Sequence, residues 1–154
     1  MTWPTRLADA SDAQELVRLR RLMFVAMELP VDDEQWEQRC VEFFREGLGD
    51  KDLVAVVVED PQGQGLAASG VVEIQQRIPS PVNPAGLRAY VSSMSTDPLW
   101  RRRGMARAVM NHVLDLLRER GVPEVTLHAT ESGRPLYASF GFYRRDREMV
   151  RPLW

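Results

Sequence analysis

Arg101-Arg102-Arg103-Gly104-Met105-Ala106 follows Asp97-Pro98 and opens a run in which Met105, Val109, Val113, Leu116 and Leu117 recur at helical spacing. The run predicts a strand that stops at Asp97-Pro98, a tight turn through the arginines, and a long amphipathic helix ended by Gly121-Val122-Pro123. The first N–H groups of a helix have no partner inside it, and the helix dipole adds positive charge at that end, so anions bind there. Gly104 leaves room for a phosphate to approach the backbone, and the arginines supply donors around it. On charge alone the triplet reads as a solvated patch ahead of a nucleic-acid contact. Its place between a strand and a helix is what favours a phosphate cradle.

On the N-terminal side, Leu53 to Glu59 is rich in β-branched residues and predicts a central strand. The turn sequence Asp60-Pro61-Gln62-Gly63 sends the chain back along Leu66 to Gln76 as an antiparallel partner. Pro79, Pro81 and Pro84 exclude the segment from Arg77 to Gly86 from a sheet interior, and Arg88 to Thr96 predicts the next strand. Trp3 to Ala8 suits a short edge strand. Two helices follow it: one capped by Ser11 with a stripe of Leu16, Leu19, Met23, Ala26 and Met27, and one capped at Asp32 with Trp36, Cys40, Phe43, Phe44 and Leu48 facing inward. Toward the C-terminus, Val125 to Ala129 predicts a strand, Ser132 caps a short helix ending at Gly141, and Phe142 to Val150 suits one or two closing strands. The expected fold is α/β: one domain over residues 1–154, built on a mixed, mostly antiparallel twisted sheet of six to seven strands flanked by helices.

Composition narrows the function. The chain of 154 residues is 44% hydrophobic and 27% charged, which is globular, and a net charge of −2 gives no broad attraction to nucleic acid. One cysteine, Cys40, and two histidines, His112 and His128, argue against disulfides and a metal centre. With no apolar run near ~20 residues and no leader pattern, a cytoplasmic protein without membrane contact is expected. Among the 20 basic residues Lys51 is the single lysine, the bias of a GC-rich genome.

The chain resembles the GNAT superfamily of acyl-CoA-dependent N-acetyltransferases. That family's signature, Arg or Gln, two residues, Gly, one residue, then Gly or Ala, with a proline shortly before, is filled by Pro98, Arg101, Gly104 and Ala106. Its second landmark, Leu-Tyr, three residues, Gly-Phe, is filled by Leu136-Tyr137 and Gly141-Phe142. The resemblance covers nearly the whole chain and implies acetyl-CoA as co-substrate. Its pyrophosphate would lie on the backbone from Arg102 to Ala106, Arg101 and Met105 included in the cradle. Its pantetheine arm would lie along a splayed or bulged strand at Met94, Ser95 and Thr96. Tyr137 corresponds to the general acid that protonates the departing thiolate; a phenol, with a pKa near ~10, carries the proton needed for that at neutral pH. Where many relatives have asparagine seven residues before the tyrosine this chain has Thr130, and it has Gly133 in place of the usual alanine; Ser132 is then the candidate for the cofactor contact.

The expected reaction is transfer of acetyl to a primary amine of a small molecule or peptide in a ternary complex, since no residue stands out as a covalent carrier. An amine attacks only when neutral. Glu73, Glu28 or a water chain held by Ser92 and Ser93 could take its proton, and the sequence does not choose among them. A catalytically silent CoA-binding module is the alternative, and the fold class admits a homodimer.

Overall fold

Runs of β-branched and small apolar residues build the centre of the sheet, and β4 alternates buried with half-buried positions. The computed structural model describes residues 2–63, 65–145 and 147–154. Strand β1 (Arg6–Leu7) is followed by a 3-10 turn over Ala10–Asp12 and helices α1 (Ala13–Ala26) and α2 (Glu34–Gly47). Strands β2 (Leu53–Glu59), β3 (Leu66–Gln76) and β4 (Leu87–Thr96) come next, then α3 (Met105–Glu119), β5 (Val125–Leu127) and α4 (Arg134–Ser139). The sheet runs β1-β2-β3-β4-β5; β1 to β4 are antiparallel neighbours and β5 joins β4 in parallel.

The strand of Leu, Val and Ala in β2 is buried on both faces because both faces are covered. Val54, Val56 and Val58 point to one side with Val72, Ala89 and Val91, where Val109, Met110, Val113 and Leu117 of α3 pack on them. Ala55 and Val57 point to the other with Val71, against Leu16, Leu19 and Phe44 of α1 and α2. Gly70 lies under α3, where a Cβ would stand 2.6 Å from Val109 Cγ1 and 2.8 Å from Met94 Sδ, so its lack of a side chain sets how closely the helix approaches.

Five strands form among the described residues, not six to seven. The difference lies at the C-terminus: no strand occurs among the described residues of 142–154, where Tyr143, Met149, Val150, Leu153 and Trp154 are exposed. Asp146, inside the expected closing strands, lies outside the described residues. Aromatic and β-branched content alone did not make a strand there, since no paired neighbour reaches this segment. Caps also shift. Asp9, not Ser11, caps the entry to α1 in a reciprocal box with Asp12, and Asp33, not Asp32, accepts from Gln35 N–H at 2.9 Å. Phe43 turns outward while Phe44 is buried, because one helical step separates the inner and outer faces of α2.

Candidate functional site

The turn between β4 and α3 is built from its first residue onward. Asp97 accepts from Leu99 N–H at 2.9 Å and starts a 3-10 turn over Pro98–Trp100. Arg102 (φ 62°) and Gly104 (φ 84°) then take left-handed backbone, which redirects the chain into α3. Gly104 precedes the helix without any side-chain cap, so the N–H groups at the start of α3 are free of a capping side chain, and a Cβ on Gly104 would meet nothing within 4 Å. The start of α3 is therefore open and dipole-positive, the setting in which a helix takes an anion.

The three arginines differ in their commitments. Arg101 Nε donates to Thr96 O at 3.1 Å, folding back on the strand end. The Arg103 guanidinium lies 4.9 Å from the Trp100 ring centre, and Arg103 O accepts from Trp3 Nε1 at 2.6 Å, so the turn is fastened to the N-terminus. Among the described residues Arg102 has no hydrogen-bond or ion-pair partner, and it is exposed beside Gly104. Met105 is buried in the core, so its backbone alone faces the cradle, while Ala106 is half-buried.

Strand β4 supplies the second part. The register steps from Val72↔Val91 to Val71↔Ser93, which leaves Ser92 as an extra residue, a bulge just before the expected Met94 to Thr96. Ala89 N–H donates to Glu124 O at 2.9 Å on the β5 side, and Asp97 N–H donates to Ala67 O at 2.8 Å on the β3 side. Alternation around the bulge therefore turns the backbone of Ser93 and Ser95 to β3 and that of Met94 and Thr96 outward. β5 pairs with β4 from Ala89 to Val91, so the outward backbone beyond that point faces an opening in the sheet. The side chains are otherwise employed. Ser95 Oγ donates to Leu19 O at 2.6 Å, Ser93 Oγ accepts from Arg20 Nη1, and Met94 packs toward Gly70.

Tyr137 stands on α4, half-buried, edge-to-face with Phe142 at 6.0 Å between ring centres. Burial pushes its phenol above the usual range, which favours the protonated form. A Cβ on Gly133 would lie 3.1 Å from Tyr137 Cε2 and 3.3 Å from Thr130 Oγ1, so glycine suits the close seating of this ring. Gly133, not Ser132, occupies the cap; Thr130 Oγ1 accepts from Gly133 N–H at 3.2 Å, and Ser132 Oγ lies 3.3 Å from Thr130 Oγ1. Arg107, in the first turn of α3, stacks on Phe140 at 5.1 Å and donates to Ser139 Oγ at 3.2 Å, which joins the cradle helix to the tyrosine helix.

A cleft of about 1600 Å³ runs past Tyr137, lined also by Tyr90, Thr126, His128 and Phe142. Tyr90 Oη is 2.8 Å from His128 Nδ1, and His128 Nε2 is 3.0 Å from Glu148 Oε2. Glu73 pairs with Tyr90 across β3 and β4, and Glu28 sits in the turn after α1 with φ 60°; neither lines the cleft. Tyr90 was absent from the sequence-based candidates. The signal for it was the period of β4, which puts Tyr90 and Glu73 on one face. Cys40 is half-buried on α2 and its thiol is pushed up by burial, which suits packing and not nucleophilic attack.

A family model described as an acetyltransferase (GNAT) domain matches residues 70–152, from Gly70 in β3 through β4, the cradle, α3, β5 and α4. The chain belongs to the GNAT acetyltransferases. Members of this family use acetyl-CoA. Among curated relatives, glucosamine 6-phosphate N-acetyltransferase 1 of Oryza sativa subsp. japonica is 26% identical over 120 residues, covering 78% of this chain and 69% of the relative. Among solved structures, a GCN5-related N-acetyltransferase of Ralstonia eutropha JMP134 is 28% identical with a TM-score of 0.82, covering 97% of each chain. A predicted acetyltransferase of Clostridium acetobutylicum solved with acetyl-CoA superposes with a TM-score of 0.87 at 23% identity, over 97% of this chain and 96% of that one. The GNAT chain described here thus shares that fold. No helix among its described residues is long and apolar enough to cross a membrane.

Proposed function

We propose that this GNAT chain moves an acetyl group from acetyl-CoA directly to a primary amine, both bound at once. The observation that carries the reading is the uncapped start of α3 beside the outward backbone of Met94 and Thr96, with Tyr137 on the short helix that Arg107 of α3 contacts. In this reading Arg102, Gly104 and the N–H groups of Met105 and Ala106 hold the pyrophosphate, and Arg101 and Arg103 keep the turn in shape. The pantetheine arm pairs with β4 where β5 has ended. Backbone N–H groups at the bulge face the thioester oxygen as charge builds there, a contribution of ~3 kcal/mol per donor in measured cases.

The neutral amine attacks the acyl carbon, a C–N bond forms and the C–S bond breaks. Tyr137 gives its hydroxyl proton to the leaving sulfur, leaving a phenolate that recovers a proton from solvent or from the amide nitrogen as it forms. The raised phenol pKa keeps that proton in place until the thiolate develops. Glucosamine 6-phosphate, the substrate named for the rice relative, is one acceptor to try; a peptide with a free N-terminus and a polyamine are others.

The test is release of CoA thiol from acetyl-CoA with each amine in turn. Amine-dependent release by the wild-type chain and its loss in Tyr137→Phe support the reading. CoA binding with no release on any amine supports a silent CoA-binding module in its place.

A further inference from the structure

Tyr90, His128 and Glu148 form a chain of hydrogen bonds at the edge of the cleft that also holds Tyr137. The order of protons in it follows from the donor types. An ionised carboxylate only accepts, so the neutral imidazole carries its hydrogen on Nε2, toward Glu148 Oε2 at 3.0 Å. Nδ1 is then the acceptor, and Tyr90 Oη donates to it at 2.8 Å. Three elements converge to make this: β4 provides Tyr90, the segment after β5 provides His128, and the C-terminal tail provides Glu148. The His128 ring also packs edge-on against Tyr90, with ring centres 5.5 Å apart, so contact and hydrogen bond fix the same orientation.

Position along β4 gives the chain its use. Tyr90 lies two residues, ~7 Å, before the bulge at Ser92 and four before Met94, the first residue whose outward backbone β5 leaves open. Resting on the acetyl-transfer reading above, we propose that Tyr90 takes the proton from the acceptor ammonium while its own hydroxyl proton passes to His128 Nδ1, with Glu148 positioning the ring. The step balances: the ammonium becomes a neutral amine, Tyr90 ends as a phenol, and the imidazole becomes an imidazolium beside a carboxylate. His128 is mostly exposed, so it returns the proton to solvent. Glu73 from β3 and Arg20 from α1 also face Tyr90 with opposite charge. Burial and the Glu73 carboxylate keep the hydroxyl protonated in the resting state, Arg20 opposing them.

The pH profile of kcat/KM is the readout, taken with acetyl-CoA and whichever of the three amines the wild-type chain acetylates. In the wild type an acid limb is expected, since the relay works only while the imidazole nitrogen facing Tyr90 is free to accept. Tyr90→Phe and His128→Gln are expected to lose about 100-fold in kcat/KM at neutral pH, within the range for a removed acid or base. They should regain most of it above pH ~9 as the amine loses its proton unaided. Glu148→Gln should lose less, about 10-fold, with the limb moved. His128→Gln changes an exposed side chain, so it guards against a folding defect in Tyr90→Phe, and calorimetric acetyl-CoA affinity checks both. Profiles within about 3-fold of wild type at every pH overturn the relay while leaving acetyl transfer intact. A full loss in Glu73→Gln with none in Tyr90→Phe also overturns it. If the wild type acetylates no amine, the transfer reading and the relay fall together.

Discussion

Arg18 Nη1 donates to Asp97 Oδ2 at 2.7 Å, which ties the middle of α1 to the residue that ends β4 and begins the arginine turn. The same guanidinium donates to Glu15 Oε2 at 2.8 Å and to Leu66 O at 2.8 Å. Removing it leaves two carboxylates and a carbonyl with fewer donors in a half-buried setting. Arg18→Met should lower stability by about 2 kcal/mol in urea unfolding. A loss within error of zero would show that the network contributes only geometry.

Acid should weaken the fold through the same residues. The Arg6 hydrogen bonds hold the Asp12 carboxyl below its usual range. At Asp97 and Glu15 burial opposes ionisation, but the Arg18 bonds and the Leu99 and Leu66 N–H groups outweigh it, and both are lowered. For groups lowered on folding, the stabilisation is present above the unfolded pKa, ~4, and is lost as pH falls through the folded value. Melting temperature should therefore drop below pH ~4, and Arg18→Met should reduce that dependence. An unchanged acid slope in Arg18→Met would contradict the assignment.

Gly70 sets the distance between the sheet and α3. With Val109 Cγ1 2.6 Å and Met94 Sδ 2.8 Å from an added Cβ, Gly70→Ala must push the helix or the methionine aside. The cost expected is about 1–3 kcal/mol. Because Met94 lies on the strand that faces the opening, acetyl-CoA affinity should weaken as well, and a variant with full stability and full affinity would contradict this packing.

Tyr137→Phe keeps the ring against Phe142 and removes only the hydroxyl. Amine-dependent thiol release should fall by about 100-fold in kcat, with acetyl-CoA affinity unchanged. Equal loss of affinity would mean that the hydroxyl holds the ligand and does not serve as acid.

Much of the frame could be read from the residues. β2 and β3 fall on the ranges read from β-branched content and the Asp60-Pro61 turn, and α3 begins at Met105 as Gly104 dictates. The C-terminal tail was not legible, because Phe142 to Val150 has strand-like content but its state depends on an edge to pair with, which local composition does not encode. The arginine triplet was legible as a turn, yet its division of labour was not: Arg103 is drawn aside by Trp100 and Trp3, residues that the fold alone brings near. Tyr90 escaped notice for a similar reason. Its partners His128 and Glu148 lie 38 and 58 residues away in sequence, and only the parallel pairing of β4 with β5 and the course of the tail unite them.

Calorimetric titration of acetyl-CoA into the wild type and Gly104→Val tests most directly whether the start of α3 serves as a pyrophosphate cradle. At φ 84° a β-branched residue is strained and its side chain enters the open space of the cradle. Saturable one-to-one binding by the wild type is expected, with affinity at least 10-fold weaker in a variant that still melts cooperatively. Absence of binding by the wild type, or equal affinity in the two, would contradict it.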